Sequence, residues 1–239
     1  MKREVHATTE YRVADQKLME GAPQYFLWQA RLAKAELGRR VLEVGCGAGN
    51  FSRHLQDREL VVGVDCDPNC IRIWNSRFAD LPGYVGCLQD AESPDFADLK
   101  RYGFDSIVCL NVLEHIADDE LLLRRMAEIC PVGGRVVLMV PAFESLYGEI
   151  DARLGHYRRY TRRSLGRVAT SAGFTVRTLR YMNPLGFFGW WANAKILKRT
   201  EQSAAQIEAF DRLVPVLSTL ESCIRPPFGQ SLLAVLERA

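Results

Sequence analysis

The residues best suited to chemistry open at 41–51, VLEVGCGAGNF, where β-formers (Val41, Leu42, Val44) flank Glu43 and run into Gly45, Gly47 and Gly49. An amphipathic segment follows. A strand, glycine turn and helix in that order let the backbone approach a nucleotide-like ligand where any Cβ would clash. Twenty residues past Gly45, the apolar run LVVGVD ends at Asp65, where an α/β sheet sets an acid to accept hydrogen bonds from a ribose. A dinucleotide site asks for G-x-G-x-x-G with a pyrophosphate at the helix N-terminus. Here the third position of that pattern is Asn50, and the glycines read G-x-G-x-G. Glu43 at the mouth opposes a pyrophosphate and suits a cationic amino-acid group, which disfavours a nicotinamide oxidoreductase.

On these residues the chain resembles class I S-adenosylmethionine (SAM) dependent methyltransferases, whose product is S-adenosylhomocysteine. The resemblance implies that Glu43 lies near the methionine part of the cofactor. It implies that the turn of Gly45, Cys46, Gly47, Gly49 and Asn50 packs against the cofactor, and that Asp65, with Cys66 beside it, holds the ribose. Asp90 and Ala91, at the end of the third strand, would meet the adenine amino group, although Asp90 also suits a helix N-cap. Leu110 and Asn111 would line the cleft. The segment N-V-L-E-H-I at 111–116 is similar to a loop of ubiquinone-biosynthesis O-methyltransferases, some of which hold a divalent metal with E-x-x-E-H. Asn111 replaces the first acid, and Glu114 with His115 alone are too few ligands for a site; no metal is expected. His115 is the candidate general base, able to take a hydroxyl proton near neutral pH, or else a histidine packed at a helix start.

A second cluster is GHYRRYTRRS at 155–164. With Thr161 as N-cap, Arg162 and Arg163 stand in the first helical turn against the dipole. An anion there would reverse the sign. His156, Tyr157, Arg158, Arg159 and Tyr160 are therefore the expected acceptor-binding residues, holding a phosphate, carboxylate or phenolate, with arginines balanced by distant acids as the alternative. Tyr25 and Trp28 on the N-terminal lead-in could close over the site or pack in the core. The charge-free stretch PLGFFGWW (184–191) is flanked by Lys195, Lys198 and Arg199, a composition suited to a membrane interface, a lipid-tail pocket, a dimer contact or a lid. Similar H-Y-R-R-Y-T and aromatic segments occur in bacterial methyltransferases associated with lipid-linked sugar enzymes.

The elements that must position these residues alternate along the chain. Strands at 40–45, 60–65, 84–88, 104–110 and 134–140 alternate with helices at 49–57, 68–77, 94–100 and 118–130, which argues for a doubly wound parallel α/β sheet. A loop is expected to run to Tyr160, then a helix from Thr161, a strand at 174–181, a helical segment from about 204 to 222, and a last strand at 231–237. The resemblance makes these a seven-stranded, mostly parallel, Rossmann-like sheet with two edge strands from 174–181 and 231–237, the last antiparallel. One domain results: a helical lead-in or lid (1–38), a cofactor core (39–181), a helical insertion (182–228) and the last strand (229–239).

At 239 residues with 48% hydrophobic and 25% charged residues, a single α/β domain can bury a sizeable core. The polar start MKREVHATTE predicts no signal peptide, and no apolar run reaches the roughly 20 residues of a membrane span. Seven cysteines without a C-x-x-C pair predict a reducing cytoplasm, with a peripheral place at the inner face of a membrane as the further option. Residues 152–200 carry eleven Arg or Lys and no acid, while the rest of the chain has a net charge of −9, a separation that points to an anionic partner. The expected reaction is O-methylation (N- or C-methylation remaining open) of a small, partly apolar, anionic or lipid-like acceptor, with peripheral membrane contact through 184–199 and no DNA. An RNA methyltransferase and a non-catalytic, membrane-associated SAM-binding subunit are the alternatives.

Overall fold

The computed structural model describes residues 14, 16–197, 199–201 and 203–239. The apolar runs form strands β1 (Arg40–Val44), β2 (Leu60–Asp65), β3 (Tyr84–Leu88), β4 (Ser106–Leu110), β5 (Arg135–Pro141), β6 (Phe174–Met182) and β7 (Ser231–Arg238). They make one seven-stranded sheet in the order β3-β2-β1-β4-β5-β7-β6. Pairings among β1 to β5 are parallel, and β7 runs antiparallel to both β5 and β6. This is the Rossmann-like methyltransferase architecture.

Side-chain alternation divides the strands between two apolar layers. Leu42, Val44, Ile107, Val136 and Leu138 face α3 (Asp119–Ile129), with Leu122, Leu123 and Met126 beneath them. Val41, Val61, Val108, Val137 and Met139 face α1 (Pro23–Lys34) and α2 (Pro68–Arg77), which contribute Trp28, Ala33, Ile71 and Trp74. Burial on both faces is what a parallel sheet requires and explains the near-continuous apolar runs.

The strand at 231–237 is not an edge. It lies between β5 and β6, leaving β6 as the edge. Its residues Ser231 to Leu236 are all buried, whereas β6 exposes Thr175 and Arg177 and only partly buries Arg180, a pattern that protects an edge from pairing. The helix expected at 49–57 is a single 3₁₀ turn, Ser52–His54. Gly49 has φ +84°, and the chain turns back at Leu55 to Arg58 to enter β2, leaving no room for further turns. The segment at 94–100 is likewise 3₁₀, over Pro94–Tyr102.

Within the expected loop up to Tyr160 lies a short helix, α4 (Glu149–Leu154), ended by Gly155 at φ 86°. After it come α5 (Arg162–Ser171), capped by Thr161 through Ser164 N–H, and α6 (Pro184–Trp191), which widens into a π turn at Ala192–Ile196. The insertion ends with α7 (Ala204–Cys223). Part of the expected lead-in, residues 1–13 and 15, and the flanking Lys198 lie outside the described residues.

Candidate active site

The carboxyl ends of β1, β2 and β4 open into one cleft of about 830 Å³, which α1, α6 and α7 wall on the far side. Glu43 stands at its base. Its Oε2 accepts a 2.5 Å hydrogen bond from Ser52 Oγ, which in turn accepts from Trp74 Nε1 at 2.7 Å. Burial pushes the Glu43 carboxyl up to about 8, against the lowering effect of Ser52. Gly45 has φ 72°, and a Cβ there would collide with the Val112 side chain, so glycine alone keeps this wall of the cleft open.

At the end of β2, Asp65 Oδ2 accepts from Gly47 N–H and Oδ1 from Asp67 N–H, both at 2.9 Å. These two bonds fix the Asp65 carboxylate at the edge of the cleft, which it lines. Asn50, at the position of the missing third glycine, is buried, and its Oδ1 accepts from Arg53 and Arg77. Asp90 is exposed and accepts from Glu92 N–H at 2.8 Å in a local turn, and the N-cap position of the next segment is held by Ser93 instead. Asn111 adopts φ 55° beyond β4, with its N–H donating to Met139 O.

Of the expected cofactor set, Glu43, Gly45, Cys46, Asn50, Asp65, Cys66, Asp90, Ala91, Leu110 and Asn111 all line the cleft. Gly47 and Gly49 do not line it. Gly47 contributes the N–H that fixes Asp65, and Gly49 packs against Phe78 and Trp74. A buried carboxyl at the end of β1 and a second acid held at the end of β2, joined by a glycine-rich turn, form the part of the cleft expected to take the cofactor.

The other half of the cleft departs further from expectation. Tyr25, His115, His156 and Arg159 line it. Trp28 is instead buried in the core. Arg158 pairs with Asp119 at 2.9 Å and donates to Ala117 O. Tyr160 is buried and donates to the same Asp119 at 2.8 Å. The backbone N–H of Tyr157 donates to Glu114 O, and its side chain is outside the cleft lining. Arg159 is buried, its Nε 2.8 Å from Asp151 Oδ1 and its guanidinium 4.7 Å over the Trp190 ring. Arg158 and Arg159 thus meet acids of the chain itself, which fill from within the place expected for an anion.

Two acids stand out: Asp151, which the sequence did not single out, and Glu114, which it raised only as half of an insufficient metal pair. Asp151 is fully buried and accepts from Arg159 Nε, His156 Nδ1 (2.8 Å), Gly148 N–H (3.0 Å) and Trp190 Nε1 (3.3 Å). Although burial opposes ionisation, the His156 hydrogen bond and the Arg159 charge hold its carboxyl below the usual range. Glu114 is buried and lines the cleft, its carboxyl pushed up to about 7 by burial despite His156 and Arg159. Asp151 could have been noticed as the last acid before the basic segment. Glu114, His115 and His156 bring ligating atoms within 4.8 Å of one another. His156, distant in sequence, thus supplies a third group beside a pair that alone was too small for a metal.

Residues 17–179 match the family described as a methyltransferase domain. A ubiquinone biosynthesis O-methyltransferase from Chromobacterium violaceum is 28% identical over 166 residues, 62% of this chain and 70% of that protein. Other curated relatives carry the same name, and the chain matches less than half of their length, as with the 33% identical protein from Azorhizobium caulinodans, covered to 45%. Among solved structures, geranyl diphosphate C-methyltransferase from Streptomyces coelicolor, in complex with S-adenosylhomocysteine, is similar with a TM-score of 0.62 and 17% identity, over 88% of this chain and 77% of that one. With the family match covering most of the sequence and the strand-end acids meeting in one cleft, the chain belongs to the methyltransferase-domain family and is an enzyme that draws its methyl group from SAM.

Proposed function

We propose that this methyltransferase O-methylates a small acceptor that joins an apolar body to a reactive hydroxyl. One observation carries the proposal: beyond the cofactor residues, Phe26, Leu185, Trp190, Ile207, Phe210 and Leu213 give the cleft an apolar wall, and Glu114, His115 and His156 cluster at one place in its lining. An apolar wall with few polar groups selects an apolar ligand and orients it. The cofactor supplies a methyl already activated on a sulfonium. What remains for the chain is to bind, align and exclude water, and to remove a proton where the nucleophile carries one. The names of the curated relatives agree with transfer to oxygen.

An anionic group on the acceptor has weaker support. Arg159 is the cleft's arginine, and Asp151 already engages it. RNA as acceptor is disfavoured for a related reason, since Arg153, Arg158, Arg159 and Arg177 all pair with carboxylates. Incubation with methyl-labelled SAM and a panel of alkyl-substituted catechols, phenols and amines tests the reading. Methyl ethers are expected, with turnover rising with alkyl length. Products methylated only on nitrogen, or label incorporated only into RNA, would replace it.

A further inference from the structure

The polar end of the cleft contains a second imidazole whose orientation is fixed more fully than its position in sequence suggested. Asp151, fully buried and accepting four hydrogen bonds, is an anion that cannot donate. His156 Nδ1, 2.8 Å from Asp151 Oδ1, must therefore carry the proton. That assigns the lone pair of the neutral ring to Nε2. Nε2 faces Glu114, with 4.0 Å to its Oε1. This gap is longer than a hydrogen bond, and one oxygen atom between the two groups could contact both. The other carboxyl oxygen, Glu114 Oε2, is buried with no hydrogen-bond partner among the described residues. A buried polar atom left in that state is costly, and a ligand hydroxyl donating to it would recover that cost. Both side chains line the cleft, and the His115 ring packs edge-on against His156 at 4.6 Å.

We propose that His156, oriented by Asp151 and facing Glu114, is the catalytic base that removes the acceptor's hydroxyl proton. This inference rests on the O-methylation reading and gives it a proton acceptor other than His115. As the O–H proton passes to Nε2, the acceptor oxygen forms its bond to the methyl carbon. The methyl–sulfur bond breaks with its electron pair left on sulfur. The products are a methyl ether, S-adenosylhomocysteine and an imidazolium ion, which then returns its proton to solvent. Asp151 is a positioning residue: it selects the tautomer and offsets the imidazolium charge, the arrangement by which a carboxylate prepares a histidine base. Arg159, beside Asp151, keeps that carboxylate ionised.

The test combines a ring measurement with a matched pair of acceptors. Long-range proton–nitrogen NMR of the ¹⁵N-labelled full chain, with His156 assigned by its loss in His156→Gln, is expected to show Nδ1–H in the neutral ring. Asp151→Asn, whose amide can donate to Nδ1, is expected to invert the tautomer. The acceptor probes are a 4-alkylcatechol, un-ionised at pH 7, and its nitro-substituted analogue, assayed where it is already a phenolate. In His156→Gln, turnover of the alkylcatechol is expected to fall at least about 100-fold, within the range for a general base. The phenolate, which needs no base, should lose less than about tenfold, and calorimetric binding of S-adenosylhomocysteine should stay within about twofold. An Nε2–H tautomer in the wild type, equal losses on both probes, or a requirement for added divalent metal that chelation removes would overturn the assignment. Wild-type methylation of both probes with His156→Gln fully active would overturn this inference alone. Methylation of amines with neither catechol accepted would remove the O-methylation reading beneath it.

Discussion

Glu43 shows how much one side chain can be altered by its surroundings. Walled in by β1, Ser52 and Trp74, it keeps its proton to about pH 8, and Glu114 and Glu221 keep theirs to about 7, in each case chiefly through burial. The unfolded chain releases these protons near the ordinary carboxyl value of about 4.3. Between those limits the folded state binds more protons than the unfolded, so stability must fall as pH rises. Glu43→Gln, which can still accept from Ser52, should remove part of that slope, on the order of a few kcal/mol between pH 5 and 8. Urea midpoints at both pH values measure it; parallel slopes for the two proteins would show that Glu43 ionises normally. Glu43 and Asp65 were legible in sequence because strand ends and glycine turns are local signals. The partners of Arg158 and Tyr160 were not, because Asp119 lies about forty residues away and only the folded chain brings it to them.

At the scale of elements, strands were more legible than the segments that join them. Two-sided burial writes itself into β1, β2, β4 and β5 as continuous apolar runs. The place of β7 inside the sheet is a matter of topology, which no local pattern encodes, and the stretch 49–57 has the composition of a helix without the length to form one. The docking of α1 was equally hidden. The Asp211 carboxylate on α7 accepts from Gln24 N–H at 3.2 Å and Tyr25 N–H at 2.8 Å, capping a helix whose own N-cap, Ala22, has no side chain to do so. The anion also meets the positive end of the α1 dipole. Asp211→Ala should cost about 1–2 kcal/mol, as lost caps do, and should speed amide exchange at Gln24 and Tyr25 more than elsewhere in the chain. Uniform acceleration would mean that α7 supports the whole fold and not the entrance helix in particular.

For the whole molecule, folding offsets part of the separation of charge in the sequence. Arg153 meets Glu201, Arg158 meets Asp119, Arg159 meets Asp151 and Arg177 meets Glu237, while Arg162, Arg163 and Arg167 stay exposed. Folding also leaves an apolar element uncovered. α6 is made almost wholly of apolar residues, yet none of them is fully buried. Phe188, Trp191, Ile196 and Leu197 are each about half exposed, beside the exposed cation Lys195. A helix apolar on every side is ordinarily covered, and contiguous apolar surface of this kind marks a contact with a partner or a membrane. No helix among the described residues is long and apolar enough to cross a bilayer. We propose, from the exposed rings of α6, peripheral contact with lipid. Aromatic rings beside a cation suit the headgroup boundary of an anionic leaflet. The full chain should sediment with vesicles containing phosphatidylglycerol more than with neutral ones, and less as salt rises. Trp191→Asp should weaken that binding by about tenfold or more, since burying one large apolar side chain is worth about 1.5–3 kcal/mol. Unchanged sedimentation of the variant would leave α6 as a cover for the acceptor's apolar body, and the substitution would then raise the acceptor KM instead.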